Sequence, residues 1–91
     1  PLVFGNFDNK EFLKIKEMID GTKLVYQNID SIYYFDSKRW DIKMKNGILI
    51  KLPNKKALSA LKFAVDLLST KKFEEIKIID TRINNQIILN E

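Results

Sequence analysis

Along residues 39–53, RWDIKMKNGILIKLP, apolar and charged residues alternate on both sides of an Asn-Gly pair. Alternation with a period of two marks a half-buried strand, and Asn-Gly between two such runs marks a hairpin. Two closures compete. A two-residue loop of Asn46 and Gly47 would set Lys45 opposite Ile48 and Lys43 opposite Ile50, each charge facing an apolar partner. A three-residue loop of Lys45, Asn46 and Gly47 instead pairs Met44 with Ile48, Ile42 with Ile50 and Trp40 with Leu52, all apolar and on one face. Gly47 then supplies the left-handed residue that closes a type I turn with a bulge. The three-residue loop is the predicted one.

Upstream, SIYYFDSKRW reads as a preceding antiparallel strand. A two-residue loop of Ser37 and Lys38 pairs Phe35 with Trp40 and Tyr33 with Ile42. The oily face of the three strands is then Tyr33, Phe35, Trp40, Ile42, Met44, Ile48, Ile50 and Leu52. The opposite, wetter face is Ile32, Tyr34, Arg39, Asp41, Lys43, Leu49 and Lys51.

Before these strands, PLVFGN is an extended lead-in and NFDNKEF carries helix-start chemistry. Asp8 can cap the free N–H groups of a first turn, Glu11 stands three residues on as in a capping box, and Phe7 and Phe12 are placed as a hydrophobic staple. Phe12, Ile15 and Ile19 share one helical face, and Gly21 offers a left-handed stop, so a helix is expected over residues 9–19. After the strands, Pro53 ends the third and Asn54 can cap a second helix, KKALSALKFAVDLLST. Its stripe is Leu58, Leu61, Val65 and Leu68, with Ala57 and Ala64 allowing close approach; Phe63 falls off the stripe.

The closing segment, FEEIKIIDTRINNQIILNE, reads as two strands around Asn84-Asn85, since Asn tolerates the left-handed conformations of tight turns. Alternation fails here: Ile78 and Ile79 are adjacent, and Ile87, Ile88 and Leu89 run without a break. A strand apolar on both faces is either covered twice or awaits a partner. The predicted order is α-β-β-β-α-β-β. This is an α+β domain with a mostly antiparallel sheet of about five strands and two helices on one face.

No linker, repeat or low-complexity tract divides residues 1–91, so a single domain is expected. The chain begins at Pro1 without an initiator Met, which suggests a piece of a longer protein. No apolar run reaches the roughly 20 residues a membrane span requires. The net charge of +4 comes mainly from lysines scattered among carboxylates, which describes a solvated surface better than a concentrated basic patch.

Cysteine and histidine are both absent, removing thiolate chemistry and the commonest general base and metal ligand. Ser31, Ser37, Ser59 and Ser69 therefore lack a histidine to activate them. Asp30, Asp36 and Asp41 lie near turns, where local hydrogen bonding accounts for them without a cation. Gly5, Gly21 and Gly47 are isolated and form no phosphate loop. No catalytic, cofactor or metal site is expected, and no small-molecule substrate. The tract IYYF beside Arg39, Lys43 and Lys51 allows an alternative class, a basic nucleic-acid-binding α+β domain using the Tyr34/Lys43/Lys51 face. Alternation instead puts Tyr33 and Phe35 in the core and leaves Tyr34 exposed. Asp80 and Arg82, two apart on one strand face, read either as a modest surface ion pair or as a fixed guanidinium beside an exposed edge.

Taken in order, Arg39, Trp40, Asp41, Asn46, Gly47, Leu52 and Pro53, then a helix, then Ile79, Asp80 and Arg82, resemble the C-terminal β domain of the bacterial cell-division family FtsQ/DivIB. No one motif is unusual; their order and spacing over nearly the whole chain carry the resemblance. It implies a domain that follows a cytoplasmic tail, one transmembrane helix and a POTRA domain, on the periplasmic side of the inner membrane at the division septum. It implies a non-enzymatic scaffold of the divisome that binds the FtsB–FtsL pair, with the last strand of the domain as the main docking edge for FtsB. The expected partner-binding residues are Arg82, Ile83, Asn84, Asn85, Gln86, Ile87, Ile88 and Leu89, and Trp40, Asn46, Gly47 and Asp80 are structural motif positions. Arg82 takes the partner-contact role of the family arginine. Ile83 stands where an aromatic is frequent, and Lys38-Arg39 where an arginine-rich pair is usual.

Overall fold

The structure, a computed structural model, describes residues 1–70, 77–83 and 88–89. Its elements are β1 (Leu2–Phe4), α1 (Asn9–Asp20), a 3-10 turn at Tyr26–Asn28, β2 (Ile29–Phe35), β3 (Arg39–Met44), β4 (Leu49–Lys51), α2 (Ala57–Thr70), β5 (Ile78–Asp80) and β6 (Ile88–Leu89). The strands form one sheet in chain order, β1 to β6. This is the α+β architecture expected, with one strand more, because the extended lead-in pairs with β2. The sheet is mixed. The β1–β2 and β4–β5 ladders are parallel, and the other three are antiparallel.

Each parallel pair is joined by a crossover helix, α1 or α2. Right-handed crossovers that run the same way across a sheet, from strands of like direction, leave their helices on the same face. The core agrees, since Ile15 and Ile19 of α1 and Leu61, Ala64 and Val65 of α2 belong to a single buried cluster with the strand residues. The ladders align Val3, Ile32, Ile42, Ile50, Ile79 and Leu89 in one row across all six strands. Ile32, Ile42, Ile50 and Ile79 are fully buried, each contributing a gross about 1.5–3 kcal/mol of transfer free energy.

The β3–β4 hairpin closes as predicted. Ile42 pairs with Ile50, the Met44 N–H donates to the Ile48 carbonyl at 2.8 Å, and the Leu52 N–H donates to Trp40 at 3.1 Å. Gly47 has φ +94 and its N–H donates to the Met44 carbonyl at 2.9 Å. The β2–β3 register corrects the expectation by one residue. Ile32 pairs with Ile42, Tyr34 with Trp40 and Phe35 with Arg39, so Ile32 and Tyr34 lie on the helix side and Tyr33 and Phe35 on the outer side. This hairpin also has a three-residue loop, Asp36 to Lys38, with the Lys38 N–H bonded to the Phe35 carbonyl at 2.8 Å and Lys38 itself left-handed at φ 64. A lysine in the slot that usually signals itself by glycine gives no warning. Because IYYF is apolar at every position, alternation could not choose between the two registers.

At α1 the capping box is formed in both directions, Glu11 N–H to Asp8 Oδ1 at 2.9 Å and Asp8 N–H to Glu11 Oε1 at 3.0 Å. The staple rings Phe7 and Phe12 stand 6.2 Å apart, and Phe7 continues onto Trp40 at 5.7 Å. Gly21 ends the helix, but in a right-handed conformation (φ −80, ψ −1) rather than a left-handed one. The stop is completed by Thr22, whose N–H and hydroxyl both donate to the Ile19 carbonyl, at 3.0 and 2.8 Å. Asn54 is not the cap of α2. The helix begins at Ala57 after Lys56, which has φ 59. On α2, Leu61, Ala64 and Val65 are buried, while Leu58 is partly turned to solvent and Phe63 lies 61% exposed on the far side.

The chain leaves β1 through Gly5 at φ +117, where a Cβ would meet the Tyr34 carbonyl oxygen at 2.3 Å; at Gly47 a Cβ would meet nothing within 4 Å. Gly5→Ala therefore carries both a clash and a left-handed penalty, Gly47→Ala the penalty alone. Denaturant unfolding should show a loss of about 2–4 kcal/mol for the first and about 1 kcal/mol for the second.

Candidate functional site

With both helices on one face, the other side of the sheet is a second, mixed surface. The ladders carry a row across it: Phe4, Tyr33, Asp41, Lys51, Asp80 and Ile88. At its β1–β2 end Phe4 stacks on Tyr33 at 5.2 Å, and beside them the Arg39 guanidinium lies 4.6 Å from the Phe35 ring centre. At its other end, charged side chains gather.

Two of these charges are carboxylates that folding has taken out of water, Asp41 at 5% and Asp80 at 6% exposure. Each needs a cation to offset its lost hydration. Arg39 Nη1 meets Asp41 Oδ1 at 2.6 Å and also reaches the Leu52 carbonyl at 3.3 Å. Arg82 grips Asp80 with two donors, Nε to Oδ1 at 2.8 Å and Nη2 to Oδ2 at 2.6 Å. The Arg82 backbone N–H adds a third bond to Asp80 Oδ1 at 3.0 Å, so the chain turns back on itself just past β5. Thr81 holds that turn in place, its N–H and hydroxyl both donating to the Lys51 carbonyl at 2.9 and 2.7 Å.

The two carboxyls titrate in opposite senses. Burial pushes Asp41 above its ordinary value, with Arg39, and more weakly Lys51 and Arg82, pulling it back. Asp80 lies below its ordinary value because the Arg82 side chain bonds to its ionised form, against the burial that would raise it. The carboxylate in turn holds the Arg82 guanidinium more firmly protonated.

Beyond this turn lies β6. It is the last strand of the sheet and pairs only with β5 among the described residues, Ile88 with Asp80 and Leu89 with Ile79. Ile83, 51% exposed, stands between the turn and the edge. Arg82, Ile83, Ile88 and Leu89 are thus brought to one end of the sheet, whereas Asn84, Asn85, Gln86 and Ile87 lie outside the described residues. Trp40 is buried beneath Phe7 and Tyr34, Asn46 Oδ1 accepts the Ile48 N–H at 3.1 Å, Gly47 closes its turn, and Asp80 anchors Arg82.

Of the two readings of Asp80 and Arg82, the bidentate grip and the Thr81 anchor favour a fixed guanidinium. Sequence reasoning overlooked Thr81, set Lys51 on a wet face and in the nucleic-acid alternative, and weighed Asp41 as a turn residue rather than as the partner of Arg39. The spacing of Arg39 and Asp41 on one strand, the same as that of Asp80 and Arg82, was the available signal. The Tyr34/Lys43/Lys51 surface is not assembled, because Tyr34 points to the helix side and its hydroxyl donates to Glu11 Oε2. Tyr33 and Phe35, expected in the core, are the aromatics of the outer face, and each already lies against a group of the protein itself.

Residues 1–82 match the family model described as Cell division protein FtsQ/DivIB, C-terminal. The chain belongs to the FtsQ/DivIB family. Among curated proteins, none matches it. FtsQ/DivIB is a family of non-enzymatic cell-division scaffolds, septum-associated and membrane-anchored, so this domain has a role in cell division. No helix among the described residues is long and apolar enough to cross a membrane. The match spans β1 to β5 and stops at Arg82; β6 lies beyond it.

The site predicts an acid-sensitive contribution from Asp80. A carboxyl whose folded value lies below its unfolded value, near 3.8, stabilises the fold above that value and ceases to as pH falls through the folded one. Asp80→Asn should cost about 1 kcal/mol at pH 7, after discounting for the partly exposed Arg82. Thermal melts at descending pH should show the gap between variant and parent closing below the unfolded value. Asp41 has the opposite sign: its ionisation costs the folded state stability, and acid relieves that cost.

Proposed function

We propose that this FtsQ/DivIB domain is a divisome scaffold module that binds the FtsB partner of an FtsB–FtsL pair by strand addition at β6, within residues 82–89. The observation that carries the reading is the position of β6 at the end of the sheet, with Arg82 fixed beside it. A strand paired on one side keeps alternate N–H and C=O groups pointing outward, so either Ile88 or Leu89 offers both to an incoming chain. An extended partner segment completes that ladder, and the exposed Ile83 adds apolar area next to it. Arg82 keeps donors beyond the two that Asp80 occupies, held at a fixed place for the partner to meet. In the full-length protein the domain would stand on the periplasmic side of the inner membrane, carried by one transmembrane helix outside this chain.

The nucleic-acid alternative loses its motivating surface with Tyr34 turned inward. It would require affinity that falls steeply with added salt.

Titration of the domain with a peptide from the FtsB C-terminal region tests the assignment. Arg82→Glu and Ile88→Pro should each weaken binding at least about tenfold, by about 1.4 kcal/mol or more, the first through reversed charge and the second through a lost ladder N–H. Binding indifferent to both changes would refute the site.

A further inference from the structure

Arg82 and Arg39 are not isolated ion pairs. Their aspartates sit on β5 and β3, with β4 between, and the ladder places Lys51 opposite both, Asp41 on one side and Asp80 on the other. The outer face therefore carries five alternating charges in sequence: Arg39, Asp41, Lys51, Asp80, Arg82. Two strand spacings of about 4.8 Å separate the carboxylates, near enough that one buried acid feels the other's cation. The interaction is present in both directions, Arg82 lowering the Asp41 carboxyl and Asp41 favouring the charged Arg82. The same lysine serves the array twice, since its carbonyl takes both Thr81 donors, at 2.9 and 2.7 Å.

We propose that Lys51 and Asp41 are positioning residues for Arg82. Asp41 is a competing acceptor two strands from Asp80, and the charge of Lys51, on the strand between, offsets it so that Arg82 stays folded onto Asp80 beside β6. Its functional weight rests on Arg82 as a partner contact; its structural content does not.

The chain has two arginines, Arg39 and Arg82, so their side-chain Nε–H signals can be told apart by NMR with Arg39→Lys as the assignment control. In the parent protein the Arg82 signal should be shifted and protected from exchange, and Asp80→Asn should abolish both. Lys51→Met should move it toward the free-arginine position and speed its exchange. Lys51→Arg should restore it. Asp41→Asn, which removes the competitor, should leave the signal in place and make Lys51→Met silent in that background. FtsB-peptide affinity should fall about threefold to tenfold in Lys51→Met, the scale of coupling between neighbouring charges, and recover in the double variant. An Arg82 signal unmoved by Lys51→Met would overturn the proposal, as would one displaced by Asp41→Asn. Should Lys51→Met not fold, Lys51→Gln takes its place with the same expected displacement, and an unmoved signal there overturns the proposal. If the peptide fails to bind the parent protein while the spectra behave as stated, the docking reading fails and the positioning stands.

Discussion

A single row of isoleucines, Ile32, Ile42, Ile50 and Ile79, crosses the four central strands fully buried, and the rest of the molecule is arranged around keeping it dry. It can be covered by two helices only if both crossovers deliver them to the same side, and the shared cluster of Ile15, Ile19, Leu61, Ala64 and Val65 shows that they do. Once that side is spent on the core, every polar and charged strand residue is left to the other. The outer face is in this sense the remainder of the packing problem: it takes what the isoleucine row cannot use.

That remainder is ordered by the pleat as strictly as the core is. The register that stacks isoleucine on isoleucine also puts Asp41, Lys51 and Asp80 side by side one residue later. Two of these are carboxylates shielded from water, and they recruit Arg39 from within β3 and Arg82 from the turn just past β5. The result differs from a surface ion pair, which contributes little because two long side chains must be frozen for an attraction that water and salt screen. Here the backbone supplies most of the order. The Asp80 turn and the Thr81 bonds to Lys51 fix the Arg82 main chain before its side chain is considered. A donor preset in this way costs less entropy to engage than a free one, which is what the proposed docking at β6 would draw on.

Open sheet edges normally invite unwanted pairing, and proteins limit them by keeping edge strands short or charged. Ile88 and Leu89 are the described residues of β6, and Ile88 pairs with Asp80, the acid of the charged turn. On the docking reading proposed above, few ladder bonds alone would give little affinity, so a second contact is needed. Arg82 and the exposed Ile83 are the groups that reading assigns to it.

Much of this was legible in the chain itself. The capping box at Asp8 and Glu11, the Lys45–Gly47 loop and the stripe through Leu61 and Val65 depend on residues within a few positions of one another, so local chemistry fixes them. The terminal strand, too, announced itself by its failure to alternate. The β1 strand, the β2–β3 register and the charge row were not legible in this way. Val3 is a strand residue only because β2 is there to pair with it, and IYYF could face either way until Lys38 took a left-handed turn that its side chain does not advertise. Asp41, Lys51 and Asp80 become neighbours only when strands distant in sequence are laid edge to edge. Sequence determined what short-range geometry and period can determine; the tertiary structure decided which residues from remote segments share a face, because pairing between strands is set by the packing of the whole core.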